Sequence, residues 1–295
     1  MAYEPQRALA PVPGGLQSVG TEPDDLVDAT RLFENAEKIA PRITIGEPIL
    51  NYLYENSRWQ RLPRADWERE VRIACATDHI VFNFFPGLKL GGLAALVDQA
   101  TMTNASRSVA SSKGTLFLTF HGAHVLVAKK IFASAFERGL LLARHGTILG
   151  AGAAKKDQRD ALFALLRALE DGRNLFFAAD GRNGRQTATL NVLGTATAAG
   201  EGAAFLAHAS GCNTAWYTVV REDNRFVPIV EAGPTKAKGE SLKDFSDRLY
   251  RFYSERIEAM FTGDPRNIVF RPRWGRVLNA KARGLAVPGA FAPAR

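Results

Sequence analysis

Hydrophobic and polar positions divide this chain into two regimes. From Thr21 to about residue 110, apolar residues recur at three- and four-residue spacing, the period of an amphipathic helix. This pattern predicts helices over 21–40, 46–57, 64–84 and 91–103, separated by Pro41, Pro63 and the Phe85-Pro86-Gly87 break. Thr21 suits a helix N-cap, with acids in the turn that follows and Lys38 in the last turn. From Lys113 onward the pattern becomes short apolar runs alternating with helical periods. It predicts strands at 115–120, 140–143, 174–179, 188–193, 213–220 and 226–231, and helices at 123–138, 157–170, 200–209 and 241–261. The expected fold is α/β, a mixed, largely parallel sheet flanked by helices and preceded by a helical N-terminal region. Residues 1–20 are rich in Pro and Gly and are expected to be disordered, 21–110 to form the helical region, 111–276 the α/β core and 277–295 a basic tail.

Composition adds three constraints. Hydrophobic residues make up 46% of the 295, ample for a full core. The net charge is +8, and Arg266, Arg271, Arg273, Arg276, Lys281, Arg283 and Arg295 follow Asp264 without an intervening acid. Such a basic end suits phosphate-bearing or acidic partners, or stands as a solvated tail. Cys75 and Cys212 sit far apart in apolar surroundings, as reduced thiols of a cytoplasmic protein do. No window reaches the apolar length of a membrane span, and the opening residues lack the apolar core of a signal peptide.

Candidate chemistry begins at LFLTFHGAHVLVAKK (116–130), where a short strand delivers His121 to the turn before a helix. Open α/β sheets bind ligands at the carboxyl ends of their strands, so His121 is a candidate base, although a histidine there can also simply bond to nearby backbone. A second strand, Asn174 to Ala179, ends at Asp180, followed by a turn with Gly181, Arg182, Gly184 and Arg185. Thr197 to Gly202 is read as the start of the next helix, whose free amides and the two arginines could hold a phosphate or carboxylate. Glu201 in that first turn either complements the helix dipole or takes part in chemistry. His121 and His124 form a His-x-x-His pair, but no third ligand at metal-site spacing accompanies them, so no metal is expected. The chain has no G-x-S-x-G elbow for a serine nucleophile.

Taken in order, Gly114, the LFLTF strand and His121, the ALEDG helix end before a strand, Asp180-x-x-x-Gly184, Gly194 after the next strand, the FLA helix, SGC before a strand, and the closing PRNIVFRPRW resemble one family. It is the lysophospholipid acyltransferase superfamily, in particular the bacterial branch that adds late acyl chains to lipid A, and the resemblance spans about Lys113 to Arg276. It implies an acyltransferase in which His121 is the general base, with His124 and Glu201 as further catalytic candidates. Asp180, Arg182, Gly184, Arg185, Gly194 and Thr197 would bind substrate. Two departures stand out. The family pairs its histidine with an acid in His-x4-Asp/Glu, but the fifth residue after His121 is Leu126 and after His124 it is Lys129. The apolar N-terminal anchor of lipid A enzymes is also missing.

These readings imply a soluble, cytoplasmic acyltransferase without a cofactor. Its donor would be an acyl carrier protein, coenzyme A or aminoacyl-tRNA. Its acceptor would be a small hydroxyl, hydroxylamine or amine compound, as in specialised metabolism. An acceptor more acidic than an ordinary alcohol would tolerate the missing acid. Rival readings are a lipid acyltransferase in peripheral contact with a membrane surface, and a non-catalytic binding protein on the same fold.

Overall fold

A computed structural model describes residues 31–84, 113–122, 124–135, 139–142, 148–149, 158–181 and 187–285. The helical N-terminal part comprises α1 (Leu32–Ile39), a 3₁₀ turn (Ala40–Arg42), α2 (Glu47–Glu55) and α3 (Arg64–Phe84). Pro41 falls in the 3₁₀ turn, and Pro48 sits in the first turn of α2, where a missing N–H costs nothing. Trp67 ties α3 to the preceding loop, since it is fully buried and its indole N–H donates to Ser57 Oγ at 3.2 Å. The expected helix over 91–103 lies outside the described residues, as does the start of the helix expected from Thr21.

The α/β part follows as β1 (Thr115–Thr119), α4 (Val125–Ala135), β2 (Leu140–Leu142), β3 (Ile148–Leu149), α5 (Gln158–Glu170), β4 (Leu175–Ala178), β5 (Thr187–Val192), β6 (Thr195–Gly200), α6 (Gly202–Ser210), β7 (Asn213–Glu222), β8 (Arg225–Ala232), α7 (Leu242–Thr262), a 3₁₀ turn (Pro265–Asn267) and α8 (Pro272–Ala282). Six strands form one sheet in the order β3-β2-β4-β1-β7-β8. The inner pairs β2/β4, β4/β1 and β1/β7 are parallel, and the edge pairs β2/β3 and β7/β8 antiparallel. β1 lies in the middle and is buried at every position, as a parallel strand covered on both faces should be.

Alternation along β1 sorts its side chains onto two cores. Leu116, Leu118 and Phe120 join the cluster under α2 and α7, and Phe117 joins the one built with α1, α3 and α4. α7 covers the first face with Phe245, Leu249, Tyr253, Ile257 and Phe261, a stripe at four-residue spacing. Its N-cap is Ser241, whose side chain accepts from the Asp244 amide.

Three elements differ from the sequence reading. Thr195–Gly200 is not the opening of a helix but strand β6, paired antiparallel with β5 from Val192↔Thr195 to Thr187↔Gly200. The reason is the two-residue turn between them: Leu193 and Gly194 both take positive φ, 52° and 67°, the geometry that matches hairpin twist. Pairing then gives the Thr/Ala run backbone partners, which overrides alanine's helical preference. The short β3 was not expected. α8 was not expected either. It starts at Pro272 and continues to Ala282 with Trp274, Val277, Leu278 and Ala280 buried, so the chain stays packed beyond residue 276.

Candidate functional site

β1 and β4 are parallel neighbours in the register Thr119↔Ala178, so the residues two further on, His121 and Asp180, leave the sheet side by side. The register by itself puts the two side chains within reach. His121 Nδ1 lies 2.8 Å from Asp180 Oδ1, and the backbone N–H of His121 donates to both carboxylate oxygens at 3.2 and 3.1 Å. Asp180 is fully buried, whereas the His121 side chain is 50% exposed. Asp180 therefore holds the histidine from the buried side while the rest of the ring is open to solvent. Because a carboxylate only accepts, the proton shared with it belongs to Nδ1, which leaves Nε2 with a lone pair. Among the described residues Nε2 meets no hydrogen-bond partner.

The walls of this site come from distant segments. Gly122 forms a bridge with Phe270, which carries the Phe270–Trp274 segment against the turn. A side chain at Gly122 would collide with the Phe120 ring at 2.3 Å, so the close turn behind the histidine needs glycine. Trp274, with no exposed surface, donates its indole N–H to Asp180 Oδ2 at 2.8 Å. The Thr119 carbonyl accepts from Ala179 N at 3.1 Å and from the phenol of Tyr253 on α7, which fixes the end of β1. Arg273 stacks on Trp274 and donates to Thr197 Oγ1 at 3.4 Å and to the Ala198 carbonyl, and Arg271 pairs with Asp78 at 3.0 Å.

These contacts set the charges. The hydrogen bond to Asp180 raises the His121 pKa above its ordinary value, and the opposing effects of burial and of the Arg271 and Arg273 charges are smaller in sum. Burial pushes the Asp180 carboxyl upward, but the hydrogen bond and charge of His121, with Arg273 behind, outweigh it and hold Asp180 below the usual range. The site is thus a neutral or protonated imidazole on a buried carboxylate.

The other expected site residues fall elsewhere. His124 is 1% exposed, packs edge-on against Phe226 at 5.2 Å between ring centres, and neither ring nitrogen has a hydrogen-bond partner of ordinary geometry. Burial lowers its pKa to about 4, against the opposing pull of Asp78 and the Arg266 backbone. The structure places it in the core, apart from the Asp180–His121 pair, where burial disfavours the protonated form that a base must take up. Asp180, expected to contact substrate, cannot do so because it is enclosed. Glu201 stands just before α6, caps nothing through its side chain and makes no hydrogen bond or ion pair to His121. Gly194 serves the β5–β6 turn, and its carbonyl accepts from Lys281 Nζ at 3.4 Å. Thr197 is buried in β6 and accepts from Arg273 at 3.4 Å. Arg182, Gly184 and Arg185 lie outside the described residues. Cys75 and Cys212 are free thiols, and no group of three or more His, Cys, Asp or Glu able to hold a metal exists among the described residues.

Leu126, at the position where the resembling family carries its acid, packs against the apolar cluster of α1, α3 and α4. Since Nδ1 of His121 is already taken by Asp180, Leu126→Glu is expected to add no activity. A carboxylate placed against that cluster without a partner should lower unfolding free energy by about 1–3 kcal/mol. Urea unfolding and an NMR titration of His121 check this: a raised His121 pKa in the folded variant would show that position 126 does reach the ring.

Tyr253 was not expected at the site, Trp274 entered only through the RPRW ending of the resemblance, and Arg273 only among the C-terminal arginines expected to attract the donor's phosphates. The available signal was Trp274 itself, an aromatic with a polar N–H on the buried face of a basic helix. Among the described residues no helix is long and apolar enough to cross a membrane. No protein-family model and no curated protein matches this chain.

Proposed function

We propose that this protein is an acyltransferase that moves an acyl or aminoacyl group from a thioester or ester donor to a small hydroxyl, hydroxylamine or amine acceptor. The observation that carries this reading is the Asp180–His121 pair at the carboxyl ends of two adjacent parallel strands, with Nδ1 held by the carboxylate and half of the histidine side chain exposed, so that Nε2 of the neutral ring can accept a proton. As the acceptor attacks the donor carbonyl, Nε2 takes its proton. The tetrahedral adduct then collapses by breaking the C–S or C–O bond, and the imidazolium returns the proton to the leaving thiolate or alkoxide. Asp180 stays ionised throughout and stabilises the imidazolium. With that carboxylate in place, the acceptor need not be unusually acidic, and ordinary alcohols and amines come within reach. The Arg271 and Arg273 side chains lend positive charge beside the site, which suits donors bearing phosphate, such as carrier protein, coenzyme A or tRNA.

Mass spectrometry of the protein incubated with thioester and ester donors tests the reading. Loss of the acyl group from one donor class, with its appearance on an acceptor, is the expected result, and no turnover of any donor would remove it. The pH profile is also fixed in direction. A base must be neutral to act, so kcat/KM should rise with pH and level off above an apparent pKa higher than 6.5, because Asp180 raises that of His121. A midpoint below 6.5 would mean that another group is the base.

A further inference from the structure

The Asp180 carboxylate is held from two sides, and only one of them is His121. Oδ1 faces the imidazole, and Oδ2 accepts the indole N–H of Trp274 at 2.8 Å, across 94 positions of sequence. The indole cannot move aside, since Phe120 and Phe261 pack on it with ring centres 6.4 and 5.5 Å away and it has no exposed surface. Oδ2 also meets the His121 backbone N–H at 3.1 Å, but that donor comes from the same residue as the imidazole. Without the indole the buried carboxylate would keep no donor opposing His121 and would gain by turning or by taking up a proton, and in either case would loosen its hold on Nδ1. We propose that Trp274 is a positioning residue: its N–H keeps Asp180 ionised and in the plane that presents Oδ1 to His121. This rests on the acyl-transfer reading for its effect on rate, and on geometry alone for its effect on the carboxylate.

α8 then has a purpose beyond closing the core. It brings a single directed donor to the strand ends, and the bridge of Gly122 to Phe270 fixes where that donor arrives. Arg273, next in sequence and lying over the same indole, adds a positive charge that favours the ionised carboxylate.

The test removes the N–H and keeps the ring. In Trp274→Phe, ¹³C NMR should show the Asp180 carboxyl pKa raised by about one unit, the scale of one lost hydrogen bond to a charged group. The variant's kcat should fall about tenfold or more, within the range a positioned base supplies, with KM little changed. Trp67→Phe is the control, because it removes a buried indole N–H that bonds Ser57 and not Asp180, and it should leave both pKa and kcat near those of the parent. A second measurement needs no variant: the Trp274 indole proton in the unaltered protein should shift with pH along the His121 titration curve. A flat indole resonance, or an unmoved Asp180 pKa in a folded Trp274→Phe, overturns the proposal. Both readouts are independent of turnover, so absence of acyl transfer would remove the catalytic reading while leaving this one to be decided by NMR.

Discussion

Replacing Asp180 by asparagine is expected to lower the transfer rate by about three to four orders of magnitude while leaving the protein folded. Asparagine fills the same space, but its amide carries no charge and offers one acceptor oxygen where the carboxylate offers two. The imidazole is then free to place its proton on Nε2, the tautomer that cannot accept a proton from the acceptor. His121 should also lose the hydrogen bond that raises its pKa, which NMR titration would show as a fall toward 6.5. The fold should survive because the change removes a buried charge together with its need for compensation. His121→Ala should be at least as inactive, and the double variant no worse than the worse single, because the two residues act as a unit. A loss of less than tenfold in Asp180→Asn would show that the carboxylate is structural and that the base works without it.

Acidification is expected to weaken the fold by about 3 kcal/mol between pH 7 and pH 4 through His124 alone. Its pKa is about 4 in the folded chain against an ordinary 6.5. Between those values the unfolded chain binds a proton that the folded chain does not, so stability falls as pH falls through the window. The cause is burial under Phe226 with neither nitrogen meeting a hydrogen-bond partner of ordinary geometry, beside the positive Arg221 and Arg271, with Asp78 and the Arg266 backbone opposing. His79 is also lowered and adds in the same direction, while the raised His121 acts oppositely and at higher pH. His124→Asn isolates the residue, since asparagine does not titrate in this range and tolerates the positive φ of 50° at this position. Its unfolding free energy should depend on pH less steeply than the parent's by that amount. Parallel pH slopes in urea unfolding would mean that His124 is solvated or protonated in the native state.

Local patterns made much of this architecture legible. The helix over 64–84 appears as α3 (Arg64–Phe84), because apolar spacing and the Pro63 boundary are properties of the segment itself. The strand ends at His121 and Asp180 were visible for the same reason, each an apolar run stopped by a polar residue. β6 was not, since Thr195–Gly200 has the composition of a helix start and becomes a strand only by pairing with β5. α8 was obscured by its basic residues, which drew attention to charge and away from Trp274, Val277 and Leu278 at helical spacing.

The partner of His121 shows where local reading ends. The fifth residue after His121 is Leu126, which packs against an apolar cluster, so the local His-x4 spacing supplies no acid, and spacing alone does not decide between Asp180 and Glu201 as its replacement. The acid is 59 residues away and becomes a neighbour through the parallel register of β1 and β4. Trp274 arrives from farther still, on a helix docked by the Gly122–Phe270 bridge. The two histidines of His-x-x-His likewise diverge only in three dimensions: His121 follows a strand end with its side chain half exposed, and His124, with φ of 50°, turns its ring into the core against Phe226. By itself the sequence determined the elements, the alternation that buries β1 on both faces and the residues at strand ends, because these depend on neighbours within a few positions. Strand order and register, set by packing the two apolar cores at once, decided which of those residues meet, and so supplied the carboxylate that no local motif contains.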